Sequence, residues 1–187
     1  MRFPLLALAF LVTTAATAAE TKIVPIEQVI KNAESVARKK GSSGAWATVG
    51  RLYATSFEGE HDAEVWASEE LPANAKGSDP SVRIAPLKGG VETKRTRAIE
   101  AYRKSVEIDA SNAGSWLALG WLYRSGDKPD EKLALQSYKK VDRLIPTPAD
   151  EKQRLLLGRA LDALEGLQEG DAAAVDAVVK RRRVLAK

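Results

Sequence analysis

Apolar positions return every three or four residues along most of this chain, the period of one helical face. Ile26, Val29, Ile30, Ala33, Val36 and Ala37 form such a face and predict a helix over about 25–40. Pro25 suits its first turn, where a missing N–H costs nothing; Arg38, Lys39 and Lys40 suit its negative end, and Gly41 supplies the stop. A second helix over 44–57 aligns Trp46, Val49, Gly50 and Tyr53. The period is lost from Gly59 to about Gly90, where turn formers gather at Asn74, Gly77, Ser78, Asp79, Pro80, Pro86 and Gly89. Only a short helix around 61–70 is expected there. A third long helix, from about Glu92 to Asp109, turns Ala98, Tyr102 and Val106 inward, and a fourth runs from about Ala113 to Ser125. Asp130 caps a fifth, which turns Ala134, Tyr138, Val141 and Ile145 inward and stops at Pro146. Thr147, Pro148 and Asp150 then read as cap, first-turn proline and N3 carboxylate of a sixth helix reaching about Gln168. Gly170 and Asp171 separate it from a last helix over 172–187. The expectation is an all-α fold of about seven helices.

Composition agrees: the chain is rich in Ala, Leu, Lys, Arg and Glu, the helix formers, and poor in the β-branched and aromatic residues of strand-rich folds. The first residues form a separate unit. Arg2 precedes an apolar run from Phe3 to Val12, and Ala16 and Ala18 stand where a signal peptidase reads small residues. This is a secretory leader, expected to be cleaved after Ala18. Its apolar core is too short to span a bilayer, and no later stretch qualifies. The product is therefore expected to be exported, periplasmic or extracellular, without an integral membrane segment. There is no cysteine, hence neither a disulfide framework nor a lipid-anchored cysteine, and no Asn-x-Ser/Thr acceptor. The full chain carries a net charge of +4. Such a mild excess does not point to nucleic acid.

The helices also repeat. Trp116, Leu119, Gly120 and Tyr123, followed by Ala134, Tyr138 and Pro146, keep the order and nearly the spacing of the tetratricopeptide pattern. The small residues allow close helix approach, and the aromatics fill the seam. The first half of the pattern returns at Trp46, Val49, Gly50 and Tyr53, and the second half at Ala98 and Tyr102. Between Tyr53 and Ala98 lie 44 residues, where about eight are usual, so roughly 36 are inserted in that turn. A degenerate third copy holds Leu157, Gly158 and Leu161, with a polar outer face suited to a cap. The chain thus resembles the tetratricopeptide repeat family over about 44–187. The division is a leader (1–18), an N-terminal helix (19–43), repeat one (44–110, with the insertion at 59–90), repeat two (113–146) and a capping repeat (147–187). The resemblance implies a right-handed superhelix of antiparallel helix pairs.

Residues that carry chemistry are sparse. The one histidine, His61, sits between Glu60 and Asp62 with no nucleophile placed beside it, so catalysis is not expected. His61 with Glu58, Glu60, Asp62 and Glu64 has too few nitrogen or sulfur donors for a zinc site and lacks calcium-loop spacing. No cofactor is expected. The run of Lys180, Arg181, Arg182 and Arg183 reads first as cations at a helix C-terminus, and second as a contact for acidic lipid or nucleic acid.

What remains is binding. The resemblance implies a groove lined by the first helix of each pair, which places Arg51, Leu117, Trp121, Arg124, Lys152 and Arg159 on it, with Ala54, Ser125, Leu155 and Asp162 beside them. An aromatic flanked by arginines suits a protein or peptide segment with acidic or aromatic residues. The function implied is an exported protein–protein interaction module, an adaptor or assembly factor. The alternative is an accessory protein that takes a ligand or glycan through 59–90. That insertion is acidic first (Glu58 to Glu70) and basic later (Lys76 to Lys94), and it carries Trp66. Two readings of it stand: a solvated excursion, or 58–71 folding over the groove as a lid with Trp66 buried.

Overall fold

The computed structural model describes residues 22–55, 82–85 and 90–185. Among these the fold is all-α and repeat-like, with seven helices: α1 (Ile26–Lys40), α2 (Ser43–Thr55), α3 (Val91–Ile108), α4 (Ala113–Arg124), α5 (Glu131–Leu144), α6 (Glu151–Leu167) and α7 (Ala172–Leu185). One feature departs from the expected pattern. Lys22–Pro25 (β1) pairs in parallel with Val82–Ala85 (β2), in the register Lys22 to Val82 through Pro25 to Ala85. Pro25 therefore closes a strand and α1 begins one residue later. The segment at 82–85, expected as loop, returns to the foot of α1.

The helix ends follow local chemistry. Gly41, at φ 58°, stops α1, and its N–H donates to the Ala37 carbonyl. The Asn112 side chain caps α4 by accepting from the Ser115 N–H, and that of Asp130 caps α5 by accepting from Leu133. The sixth helix starts later than expected. Its cap is Asp150, accepting from the Gln153 N–H at 2.7 Å, while Gln153 Oε1 accepts in return from the Ala149 N–H at 2.9 Å. Thr147 and Pro148 lie outside it.

Helices pack in chain order, and the broadest contacts lie within the pairs α2/α3 and α4/α5. Each pair closes in the same way. A Cβ on Gly50 would stand 2.7 Å from the Tyr102 ring, and one on Gly120 would stand 2.6 Å from the Tyr138 ring. Bare helix backbone therefore receives the partner's aromatic face. The same contact forms whether the two residues are 18 positions apart or 52. Adjacent helices run antiparallel, as two links show. Ser43 at the start of α2 meets Ser105 near the end of α3, and Arg95 at the start of α3 donates to the Leu122 carbonyl at the end of α4, at 2.8 Å. One core joins Ala98, Tyr102 and Val106 to Ala118, Leu119 and Leu122; a second joins Leu117, Tyr138 and Val141 to Leu157, Leu161 and Val178. Trp116 packs against both. Each fully buried leucine here, such as Leu119, Leu122 or Leu157, contributes about 1.5–3 kcal/mol.

A buried polar knot ties three helices at one end. The Ser105 hydroxyl lies 2.9 Å from that of Ser43 and 2.8 Å from that of Ser115, and Asn112 Nδ2 donates to Ser43 Oγ at 2.9 Å. Every hydroxyl in it has a partner, so the desolvation cost is met by hydrogen bonds.

Candidate functional site: the groove between α4 and α6

The first helices of the second and third pairs touch directly. Beside that contact opens a cavity of about 370 Å³, lined by Leu117, Trp121, Arg124, Tyr138, Arg159, Asp162 and Ala163. Four of the six residues assigned to the groove from sequence, Leu117, Trp121, Arg124 and Arg159, therefore stand together around one space. Gly120 sets this arrangement locally. It lets Tyr138 lie flat under α4, so that ring both closes the pair and lines the cavity. Leu117, one turn before Trp121, is 3% exposed and belongs to the core; it forms the cavity wall and is not a free contact. Trp121 is half-buried. One side packs against the core shared by α2, α3 and α4, and it also faces the cavity. Arg124 is exposed and Arg159 half-buried.

The other two assigned residues stand apart. Lys152 is exposed on the first turn of α6, outside the cavity lining. Arg51 lies on α2, one pair further along, at the position of Trp121 and Arg159 in their own helices. Its guanidinium lies against the Tyr102 hydroxyl, and its Nε and Nη1 are buried with no hydrogen-bond partner. Burial pushes the Tyr102 phenol up to about 12, and Arg51 pulls it back only in part.

Charge is distributed unevenly. Arg38, Arg95, Arg97, Arg154, Arg181 and Arg182 all form ion pairs with acidic side chains. Arg51, Arg103, Arg124, Arg143, Arg159 and Arg183 form no ion pair among the described residues, and of these Arg124 and Arg159 line the cavity. Asp162, the carboxylate in the cavity wall, is paired with Arg182, which also holds Glu165 at 2.8 Å. Sequence reading missed this link. Asp162 and Arg182 lie on different helices, and nothing in their spacing marks them. The basic run at 180–183 is largely committed to structure. Lys180 pairs with Asp176, and Arg181 holds Asp142 at 2.9 Å and the Ile145 carbonyl at 2.6 Å, closing the end of α5.

A second cleft of about 390 Å³ opens between α1, α2 and α3, with Trp46 under the Lys104 ammonium at 4.3 Å and the Tyr53 hydroxyl donating to Glu34. Its charges are mixed and largely satisfied. Among the described residues no group of His, Asp and Glu is placed to hold a metal ion, and no helix is long and apolar enough to cross a membrane. The leader, His61 with its carboxylates, and the 58–71 stretch with Trp66 lie outside the described residues. Compared with known proteins, the chain matches no family model, no curated protein and no solved structure.

Proposed function

We propose that this chain is an exported protein–protein interaction module of the tetratricopeptide type, an adaptor or assembly factor of the cell envelope, which takes an extended segment of another protein in the α4/α6 groove. The observation that carries the reading is the gathering of Trp121, Arg124 and Arg159 around one open cavity, with both arginines unpaired among the described residues. Six guanidinium groups elsewhere are paired to carboxylates of the same chain, whereas the two that line this cavity are not, which leaves complementary charge to a partner. The half-buried indole adds the aromatic anchor that interface centres favour. The paired glycine–tyrosine closures of α2/α3 and α4/α5 support the repeat type.

The test is binding of capped peptides combining Asp or Glu with Phe, Trp or Tyr, displayed as an array over the protein lacking residues 1–18. The expected outcome is a set of acidic–aromatic binders lost with Arg124→Glu. Binders indifferent to that change but lost on deletion of 59–90 would transfer the function to the insertion, as a ligand- or glycan-binding surface. The address is tested separately: the mature protein should begin at Ala19 or Glu20.

A further inference from the structure

Arg159 and Asp162 stand three residues apart on α6, and both line the cavity. Side chains at that spacing are neighbours on a helix surface. Elsewhere in this chain such neighbours pair. Arg95 holds Glu92 and Arg154 holds Glu151, while Arg97 holds Glu100, in the same order along the helix, at 3.1 Å. Arg159 and Asp162, both among the described residues, form no such pair. Asp162 is taken instead by Arg182 of α7, whose other terminal nitrogen holds Glu165 at 2.8 Å. A guanidinium presents a planar fork of donors, so one side chain can hold both carboxylates. Glu165 precedes Gly166, and the Arg124 guanidinium reaches α6 there: its Nη2 lies 4.0 Å from where a Cβ on Gly166 would stand. The two carboxylates that Arg182 holds are thus chain neighbours of the places where the two cavity arginines stand on α6 or reach it.

We propose that Arg182 is a positioning residue that sets the specificity of the α4/α6 groove: by drawing Asp162 and Glu165 to itself, it leaves Arg159 and Arg124 open to the acidic side chains of a partner segment. The inference rests on the interaction-module reading and adds a residue that does not line the cavity. Without Arg182 the two carboxylates lose their cation. Asp162 then turns to Arg159 on its own helix, and the groove sets two negative charges beside its two positive ones. The last helix therefore governs which charge the groove selects, although none of its residues lines the cavity.

The experiment titrates two peptides, acetylated and amidated, into the protein lacking residues 1–18: Ala-Asp-Phe-Asp-Ala and Ala-Lys-Phe-Lys-Ala. Arg182→Gln should bind the Asp peptide about three- to fivefold more weakly, the effect of an exposed ion pair competing with the ligand, and the Lys peptide more tightly. Arg183→Gln removes the same charge one residue away, from a side chain without an ion pair, and should change either affinity by less than about twofold. Adding Asp162→Asn and Glu165→Gln to Arg182→Gln should restore wild-type affinity for the Asp peptide, a rescue that a merely structural Arg182 would not allow. In the ligand-free protein the Arg159 Nε–H should exchange with water more slowly in Arg182→Gln and return to the wild-type rate in the triple variant. If Arg182→Gln does not fold, Asp162→Asn with Glu165→Gln, which keeps Arg182, decides: it should bind the Asp peptide at least as tightly as wild type, and weaker binding would overturn the proposal. Unchanged affinities in Arg182→Gln, an equal loss in Arg183→Gln, or a triple variant that stays weak would overturn the role of Arg182. The module reading would stand in each case, provided that Arg124→Glu abolishes binding. Absence of wild-type binding to the Asp peptide, or binding that survives Arg124→Glu, would overturn both.

Discussion

Three glycines at matching places in three helices show how far a single residue position can be read. Gly50, Gly120 and Gly158 follow Val49, Leu119 and Leu157, all fully buried. A Cβ on the first two would enter a tyrosine ring, whereas at Gly158 it would meet nothing within 4 Å. Gly120→Ala is therefore expected to cost about 1–3 kcal/mol by overpacking, whereas Gly158→Ala should gain about 0.5–1 kcal/mol of helix propensity. Opposite shifts in thermal midpoint would confirm this; a loss at Gly158 would mean the third pair closes like the others. The glycines and tyrosines were legible because close approach restricts the residue type at each. Arg51 was assigned to the groove from sequence but does not line this cavity, and its shielded nitrogens depend on neighbours that no spacing rule encodes. Tyr102 carries a second expectation. Its folded-state pKa, about 12, exceeds the ordinary value near 10, so the unfolded chain loses this proton first. Stability is complete below pH 10 and falls as pH rises from there toward 12, by about 2–3 kcal/mol for this group alone. Burial raises Tyr53 and Tyr123 in the same direction. Melting temperatures between pH 9 and 12 should drop steeply, and Tyr102→Phe should flatten the slope.

At the scale of elements, periodicity located all seven helices, and errors fell at their ends. Two overlapping start signals precede α6. Thr147 with Pro148 offers one cap; Asp150 with Gln153 offers another and also returns a bond to the Ala149 N–H. The reciprocal pair satisfies two orphan donors at once, and it sets the boundary. Asp150→Ala should accordingly cost about 1 kcal/mol in urea denaturation, and Thr147→Ala only a few tenths. Equal costs would restore the earlier start. The β1/β2 pair escaped because each strand has four residues and its partner lies about 60 positions away. Four residues cannot establish a period of two, and pairing at that separation leaves no local trace. The cavity, by contrast, follows from elements the sequence did reveal. Once α4 and α6 are neighbours, Trp121, Arg124 and Arg159 share a face.

On the scale of the whole molecule, the chain forms the same closure twice although one turn is far longer than the other. Loop length adds slowly to closure entropy, on the order of 0.6 kcal/mol per doubling, so α2 and α3 can meet across the insertion at little cost. The described part of that insertion has a separate role: β2 pairs with β1, immediately ahead of α1. α1 packs on α2 through Ile30 and Ala37, so the N-terminal edge is held by side chains at α1 and by backbone pairing ahead of it. Two deletions separate these contributions. Replacing 57–81 with a Gly/Ser linker retains β2; replacing 59–90 removes it. Both products should keep a helical far-UV spectrum, because the Gly50–Tyr102 closure lies outside either deletion. Only the second should lose amide protection at Ile23 and Val24 and in the first turn of α1, since a strand without its partner exposes its backbone to solvent. Both should retain the Arg124-dependent peptide binding. Loss of α2/α3 packing in the first deletion would show that the insertion is part of the repeat's core. Equal protection in both would show that β2 does not hold the N-terminal edge.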